Sequence, residues 1–253
     1  ENLKVTYKQD FQGEYFENFP ITLRAIPRLG YSFSHWEGTN STSPFLEIDL
    51  EGKRNLGYHA VFVPVASPYK DSIVFNEVSC YNHNSSDWLE IHNMGEQKVD
   101  LTNWIIKNQK EEYVLPPSSI AANSYIVIAK DTTRFLNVYP QIRDRVIGDF
   151  DFGLNKQTDR LELYTPEGAT VDTFTYNIAT PGRDFTIDLK SPKLDNGDSN
   201  NWEVSIGLGT PGYHNTTYWA ALTYEQQMLW MQRGLALGLF LLIGMIVYLW
   251  KWR

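Results

Sequence analysis

The stretch SSDWLEIHNMGEQKVDLTNWII, residues 85–106, predicts a strand, a turn at its Met-Gly pair and a second strand. Alternate side chains of a strand share a face. We therefore expect Leu89 and Ile91 on one face of the first strand, and Trp88 with Glu90 on the other.

Asp87 and Glu90 flank a tryptophan and suggest acid/base chemistry at first sight. Because they lie on opposite faces of the predicted strand, they cannot converge on one bond without a bulge. We expect Glu90 to accept hydrogen bonds from backbone amides nearby. The second strand is expected to send Val99, Leu101 and Trp104 into the core of a β domain.

The chain from Ile73 onward is a succession of strands with one candidate helical crossover, TTRFLNVYP. Turn residues occur at 93–95, at 166–168 and at 195–201. Such a chain favours an antiparallel sandwich. The predicted strands are IVFNEVSCYN, WLEIHN, VDLTNWIIKN, YVLPPSSIAANSYIVIAK, RVIGDF, DRLELYT, VDTFTYN, DFTIDL and NWEVS.

Five segments of this region, in this order and spacing, resemble the bacterial lamin-tail domain: DSIVFNEV, SSDWLEIHNMGEQKVDLTNWII, LPPSSIAANSYIVIAKD, LNKQTDRLELYTPEGATVDTFTYN and LDNGDSNNWEVSIGLGTPGYHN. The resemblance covers residues 72–215 and implies an immunoglobulin-like sandwich. Such domains often follow CotH-like kinase domains or accompany exported hydrolases. The chain itself has no Gly-rich phosphate loop followed by Lys and no recognisable set of catalytic Asp and metal ligands.

Residues 1–66 are predicted to form a small β domain ahead of a boundary at VASPYKD, residues 65–71. Its expected strands are LKVTYK, PITLRAIP, GYSFSHWEG, FLEIDL and YHAVFVPV. The unit resembles the internalin-type B repeat, which implies a β-grasp-like fold and, with the lamin-tail resemblance, the C-terminal region of CotH-like exported proteins. The matching positions are Leu23, Ala25, Pro27, Gly30, Tyr31, Phe33, Trp36, Gly38, Ala60 and Phe62.

Composition narrows the classes of partner. The net charge is -8 and the pI is about 5.1, so the average surface repels a phosphate backbone. This argues against nucleic acid as a partner. Cys80 is the only cysteine, so neither an intrachain disulfide nor a thiolate cluster can form, and we expect this thiol to pack in the core. Because the chain starts at Glu1 without a signal peptide, we expect a processed protein or a piece of a longer one.

Residues 234–250, GLALGLFLLIGMIVYLW, contain no charge and predict a membrane-spanning helix. We assign 228–253 to this helix and its basic tail, 216–227 to a juxtamembrane segment and 67–215 to the sandwich. The capping-box spacing of Thr223 and Gln226 predicts a helix start near Thr223. Membrane-interface residues are expected to be Trp230, Arg233, Trp250, Lys251, Trp252 and Arg253.

The resemblances imply a bacterial protein, and the single apolar helix implies a single-pass protein of the cell membrane. The flanking charges favour a periplasmic or extracellular body and a cytoplasmic C-terminus. Gly234 and Gly238 form a GxxxG pair that would let another helix approach closely.

No catalytic or metal site is expected. The histidines keep no metal-ligand spacing, and Asp149 with Asp151 indicates a solvated edge. Asp195 and Asp198 offer oxygens for calcium, but turn bonding is the favoured interpretation. The five histidines are His35, His59, His83, His92 and His214.

We therefore expect a non-enzymatic scaffold without cofactor, acting as an accessory subunit of a membrane complex or as an adhesion element. The alternative is the non-catalytic C-terminal part of a CotH-like exported kinase or hydrolase that positions substrate. A weaker hypothesis is binding of cell-envelope glycan through exposed aromatics such as Trp104 or Trp202, although both are better explained as core residues.

Overall fold

The structure is a computed structural model that describes residues 13–178, 182 and 184–251. It divides into two compact units, Glu1–Val65 and Ala66–Arg253. The predicted strand LKVTYK lies outside the described residues.

The small unit consists of two antiparallel strand pairs. The first pair is β1 (Ile21–Arg24) with β3 (Phe45–Ile48), and the second is β2 (Tyr31–Trp36) with β4 (Ala60–Pro64). In β1, Ile21 and Leu23 are half-buried while the residues between and after them are exposed, as the alternation predicts. Among the described residues of this unit, the buried apolar side chains are Ala25, Trp36 and Ile48.

The second unit is a β-sandwich, so the prediction of a mainly β protein with an immunoglobulin-like sandwich is confirmed. Its strands are β5 (Ile73–Tyr81), β6 (Trp88–Asn93), β7 (Val99–Asp100), β8 (Ile105–Lys107), β9 (Glu112–Val114), β10 (Ser119–Ile120), β11 (Ser124–Ala129), β12 (Val146–Gly148), β13 (Thr158–Tyr164), β14 (Thr170–Asn177), β15 (Phe185–Leu189) and β16 (Trp202–Ile206). One sheet has the order β12-β11-β6-β5-β15-β16, the other has the order β14-β13-β8-β9, and β7 pairs with β10.

The core between the two sheets confirms the face assignment of the opening stretch. Leu89 and Ile91 belong to the apolar cluster between the sheets, whereas Trp88 joins a second cluster on the outer face. There the indole packs against Phe135 of the helix α1 (Thr132–Val138), with ring centroids 5.7 Å apart. This helix confirms the predicted TTRFLNVYP segment.

Three details differ from the expected strands. The segment YVLPPSSIAANSYIVIAK is not one strand but is divided among β9, β10 and β11, because Pro116 and Pro117 cannot donate to a strand ladder. The segment VDLTNWIIKN is not one strand but β7 and β8, because Asn103 between them has a positive φ of 61° and turns the chain. At the edge of the six-stranded sheet β12 pairs with β11 in parallel, since α1 and a 3₁₀ segment (Pro140–Arg145) carry the chain back across.

The C-terminal element is α2 (Thr216–Lys251), a continuous helix of 36 residues that is long and apolar enough to cross a membrane. The predicted start near Thr223 is wrong. The hydroxyl of Thr223 donates to the carbonyl of Trp219, inside a helix that has already begun at Thr216. The start of the helix is therefore set by contacts that residues before Thr223 make with the sandwich. The Thr223–Gln226 spacing does not determine it.

Candidate functional site

Four carboxyl side chains form a row across the outer face of the six-stranded sheet. In the strand register, Glu90 of β6 is opposite Glu77 of β5, Glu77 is opposite Asp188 of β15, and Asp188 is opposite Glu203 of β16. Glu90, Glu77 and Asp188 are at most 1% exposed. Buried acids of this kind need hydrogen-bond donors or protons to be tolerated.

The segment GLGTPGYHN, residues 207–215, supplies donors to Glu77 and Glu90. The backbone amide and hydroxyl of Thr210 donate to the Glu77 carboxyl at 2.9 and 3.3 Å. The amide of Gly212 donates to Oε2 of Glu90, and the side-chain amide of Asn76 donates to Oε1 at 2.8 Å. The prediction that Glu90 accepts a backbone amide is confirmed, although that amide is distant in sequence.

Two glycines let this segment lie close to the sheet. Gly209 and Gly212 each have a φ of +83°, a conformation that L side chains rarely adopt. A Cβ at Gly209 would overlap Oε1 of Glu77, and one at Gly212 would lie 2.8 Å from Cγ2 of Ile142. Only glycine therefore lets the backbone amides reach the buried acids.

Burial raises the pKa of each of these buried acids. Desolvation raises the pKa of Glu90 to about 8, so this group is protonated at neutral pH. Burial, and then the charges of Asp188 and Glu90, raise the pKa of Glu77 well above its usual value. The pKa of Asp188 is also raised by burial. Folding therefore favours the protonated forms of Glu77, Glu90 and Asp188.

Asn215 fastens the start of α2 to the sandwich. Its side-chain amide donates to the carbonyls of Asn76 and Leu189, both at 2.9 Å, and its Oδ1 accepts from the Asn76 side chain at 3.0 Å. Its own carbonyl accepts the first helical amide, that of Trp219, at 2.9 Å. Asn215 is 1% exposed. A buried side chain with this many bonds fixes the point at which the chain leaves the sheet.

A second contact ties the next residues of α2 to the sheet edge. The hydroxyl of Thr217 donates to the carboxylate of Glu203, the last acid of the row. The guanidinium of Arg145 donates to the carbonyl of Gly212 at 2.7 Å and lies 5.6 Å from the centroid of the Tyr213 ring. Segment 207–215 is thus bound by Arg145, and the residues that follow it in α2 are bound by Glu203.

Aromatic rings add a further set of contacts between the sheet and α2. We call all of these contacts together the joint: residues 207–219 with the side chains that bind them, which are Asn76, Glu77, Glu90, Tyr125, Arg145 and Glu203, and with His92, which stacks on Tyr125. The rings of His92 and Tyr125 are stacked with centroids 4.2 Å apart, and the Tyr125 hydroxyl lies 2.6 Å from Nδ1 of His214. The His214 ring contacts those of Tyr218 and Trp219 in the first turn of α2. Burial, with a smaller contribution from His214, lowers the pKa of His92 to about 4, so this ring is neutral above that pH.

The geometry of the joint is suited to mechanical attachment. Glu77 and Glu90 are buried under backbone, and their oxygens accept from amides and from a hydroxyl. Across the described part of the chain, no group of three His, Cys, Asp or Glu side chains is placed to hold a metal ion.

The acids singled out in the sequence have local roles. Oδ2 of Asp87 accepts from the amide of Leu154 at 3.0 Å, away from the face of Glu90. Asp149 accepts from the amide and hydroxyl of Thr132 at the start of α1. Asp195 and Asp198 each accept the amide two residues on, which is the predicted turn bonding.

Three side chains considered for binding or reactivity are buried. Trp104 and Trp202 are 2% and 7% exposed, so the hypothesis that they bind glycan is wrong. Cys80 is fully buried, and burial raises the pKa of its thiol to about 12. It is a packing residue, as predicted.

Four of the six predicted membrane-interface residues lie on the described part of α2 and are exposed. They are Trp230, Arg233, Trp250 and Lys251, while Trp252 and Arg253 fall outside the described residues. Gly234 and Gly238 are open, since a Cβ on either would meet nothing within 4 Å.

Sequence reasoning missed Asn215, Glu77 and the two glycines of the joint. A signal for them was present in IVFNEVSCY, where an Asn-Glu pair interrupts an apolar strand, and in the closely spaced glycines of GLGTPG.

Residues 66–177 match the family model described as LTD: Lamin Tail Domain. No curated protein matches the chain. The matched region contains strands β5 to β14 and covers the part of the sandwich that carries Glu77 and Glu90. Residues 66–177 of this immunoglobulin-like sandwich are thus similar to a lamin tail domain, and in the described part of the chain one apolar helix follows the sandwich.

Proposed function

We propose that this chain is a non-enzymatic, membrane-anchored interaction module of the bacterial cell envelope. Its sandwich is periplasmic or extracellular, α2 is its single membrane span, and its C-terminus is cytoplasmic. The observation that carries the proposal is the joint at Asn215, which fastens a lamin tail domain directly to an exposed apolar helix.

The apolar surface of α2 supports the membrane assignment. No residue of its most apolar window is buried against another described part of the chain. Each large apolar side chain moved from water into an apolar medium gains roughly 1.5–3 kcal/mol. The run 234–250 holds many such side chains, among them Phe240, which is 82% exposed. Insertion of α2 into a bilayer would remove this apolar surface from water.

The flanking charges support the orientation. Lys251 follows the apolar run directly, and Arg253 lies two residues further on. On the other side Arg233 is offset by Glu225. Because positive residues are retained on the cytoplasmic side, these charges support a sandwich on the outer side of the membrane.

The open glycine pair on α2 supports a role as an accessory subunit. Small residues let a neighbouring helix approach the backbone, which is the main source of helix association in lipid. Gly234 and Gly238 lie one turn apart on α2, and a Cβ added at either would meet nothing within 4 Å. The partner is accordingly another membrane protein.

Purification from native membranes in mild detergent tests this function. We expect the chain to co-purify with a membrane partner, and the Gly234→Leu/Gly238→Leu variant to lose that partner while still entering the membrane. Gly244→Leu is the matched control, because Gly244 is equally open but lies on a different face of α2. A native chain that runs alone in detergent would overturn the accessory-subunit function.

A second candidate function is the substrate-positioning C-terminal part of a CotH-like exported kinase or hydrolase. It is favoured by the order of domains, a small β unit directly ahead of a lamin tail domain. Sequencing upstream of the codon for Glu1 separates the two. A catalytic domain in the same reading frame supports the second function, and a start codon with a signal sequence supports the first.

A cell-envelope glycan is a further proposed partner, and it would have to use aromatics other than Trp104 and Trp202. Exposed rings on the small unit include Phe16 and Phe19, which are 84% and 68% exposed. Sedimentation with purified peptidoglycan tests this partner. Recovery of the chain in the supernatant alone would exclude it.

A further inference from the structure

We propose that the joint around Asn215 makes the sandwich and α2 one rigid strut, so that the tilt of the helix in the bilayer sets the orientation of the sandwich above it. This inference rests on the proposed membrane insertion and adds a conformational consequence. A flexible tether would let the domain turn freely, whereas a strut transmits changes in helix packing.

The length of α2 requires part of it to stand outside the hydrocarbon. At about 1.5 Å per residue, its 36 residues extend roughly 54 Å. A hydrocarbon core is about 30 Å thick, which leaves about 24 Å of helix outside it. Because Lys251 ends the helix on the far side, most of this excess lies between the sandwich and the bilayer.

The exposed half of the helix has no intrinsic hinge. Residues 216–233 contain neither glycine nor proline, the two residues that most often kink or break a helix. The first glycine is Gly234, at the start of the apolar run. Bending is therefore not expected between the joint and the membrane.

The joint itself resists rotation because its contacts approach from different directions. Asn215 bonds to the backbone of β5 and β15, and Thr217 bonds to Glu203 on β16. On another element, Tyr125 of β11 bonds to His214. Three contacts that are not in line fix both the direction and the rotation of a rod. The short segment 207–215 is also held by the buried acids of β5 and β6.

Paired spin labels on the full chain in lipid nanodiscs test the strut. One label replaces Glu167, on the exposed turn between β13 and β14, and the other replaces Gln226 on α2. Cys80 can stay, because it is buried and the high pKa of its thiol keeps it unreactive. A control pair of labels at Glu167 and Glu112, both on the side of the four-stranded sheet, gives the width of the distance distribution that is expected within one rigid body.

We expect the sandwich–helix distance distribution to be as narrow as that of the pair within the sandwich. A Gly-Ser-Gly-Ser insertion after Asn215 should broaden it at least twofold while leaving the sandwich pair unchanged. Asn215→Ala should also broaden it, whereas Asn137→Ala, at an exposed position of α1, should not. If Asn215→Ala disturbs the sandwich pair, the insertion carries the test.

A native distribution as broad as that of the insertion variant would overturn the strut. Failure of the chain to enter nanodiscs would instead contradict the proposed membrane anchoring, so the two failures are distinguishable.

Discussion

Replacing Glu90 with glutamine should make the protein less stable than the native chain at acid pH and more stable than the native chain at alkaline pH. In the folded sandwich burial raises the pKa of Glu90 to about 8, from a reference value of 4.5. The protonated form is therefore favoured by folding. Its stabilising effect is complete below pH 4.5 and is lost as the pH rises through 8.

The size of the effect follows from linkage. Each pKa unit corresponds to about 1.4 kcal/mol, so a rise from 4.5 to about 8 withdraws roughly 5 kcal/mol from the free energy of unfolding by about pH 9. A glutamine side chain at this position cannot ionise and avoids this loss. It has only one acceptor oxygen, however, so either Asn76 or Gly212 loses its acceptor, at a cost of about 1–3 kcal/mol.

We therefore expect Glu90→Gln to be less stable than the native chain by about 1–3 kcal/mol at about pH 5 and more stable by about 2–4 kcal/mol at about pH 9. Pulse proteolysis of the full chain in detergent, at increasing urea concentration, reports the stability of the sandwich. Glu167→Gln, on an exposed turn, is the matched control and should follow the native chain at both pH values. A difference between Glu90→Gln and the native chain that is the same at both pH values would show that the Glu90 carboxyl does not titrate as its burial requires.

The same assay checks three further predictions. Asn215→Ala should lower the free energy of unfolding by roughly 2–4 kcal/mol, because buried carbonyls lose their donors, whereas Asn137→Ala should change it by less than about 0.5 kcal/mol. Gly209→Ala should destabilise by more than about 2 kcal/mol, since its Cβ would overlap a buried glutamate, whereas Gly153→Ala meets only ordinary contacts and should be near neutral. Burial lowers the pKa of His92 to about 4, so neutral His92 contributes fully to the free energy of unfolding above pH 6.5, and this contribution is lost as the pH falls toward 4. We call this loss the acid limb of the stability profile. His92→Phe should keep the ring stack and reduce the acid limb. Native-like stability of Gly209→Ala, or an unchanged acid limb in His92→Phe, would contradict the contacts described.

The sandwich could be predicted from sequence because its signals are local. Period-two alternation in WLEIHN assigns Leu89 and Ile91 to the core, and Pro166 to Gly168 marks the turn between β13 and β14. The burial of Trp104 also follows from the pattern around it. Each of these features depends on neighbours within a few residues.

The joint could not be predicted because its contacts connect distant positions. Asn215 bonds to Asn76, which is 139 residues away, and Gly212 bonds to Glu90, which is 122 residues away. No local period brings such pairs together. The start of α2 was misplaced for the same reason, since Asn215 fixes it through the sheet and the spacing of Thr223 does not.

Labelling of single cysteines, in cells whose plasma membrane is intact and whose outer layers have been opened, tests most directly whether α2 anchors an extracytoplasmic sandwich. Glu167→Cys reports the sandwich and Lys251→Cys reports the end of α2, while buried Cys80 stays silent. A membrane-impermeant maleimide should label the Glu167→Cys variant in intact spheroplasts and the Lys251→Cys variant only after lysis. Labelling of both variants only after lysis, or recovery of the chain in the soluble fraction, would contradict a membrane-anchored, extracytoplasmic sandwich.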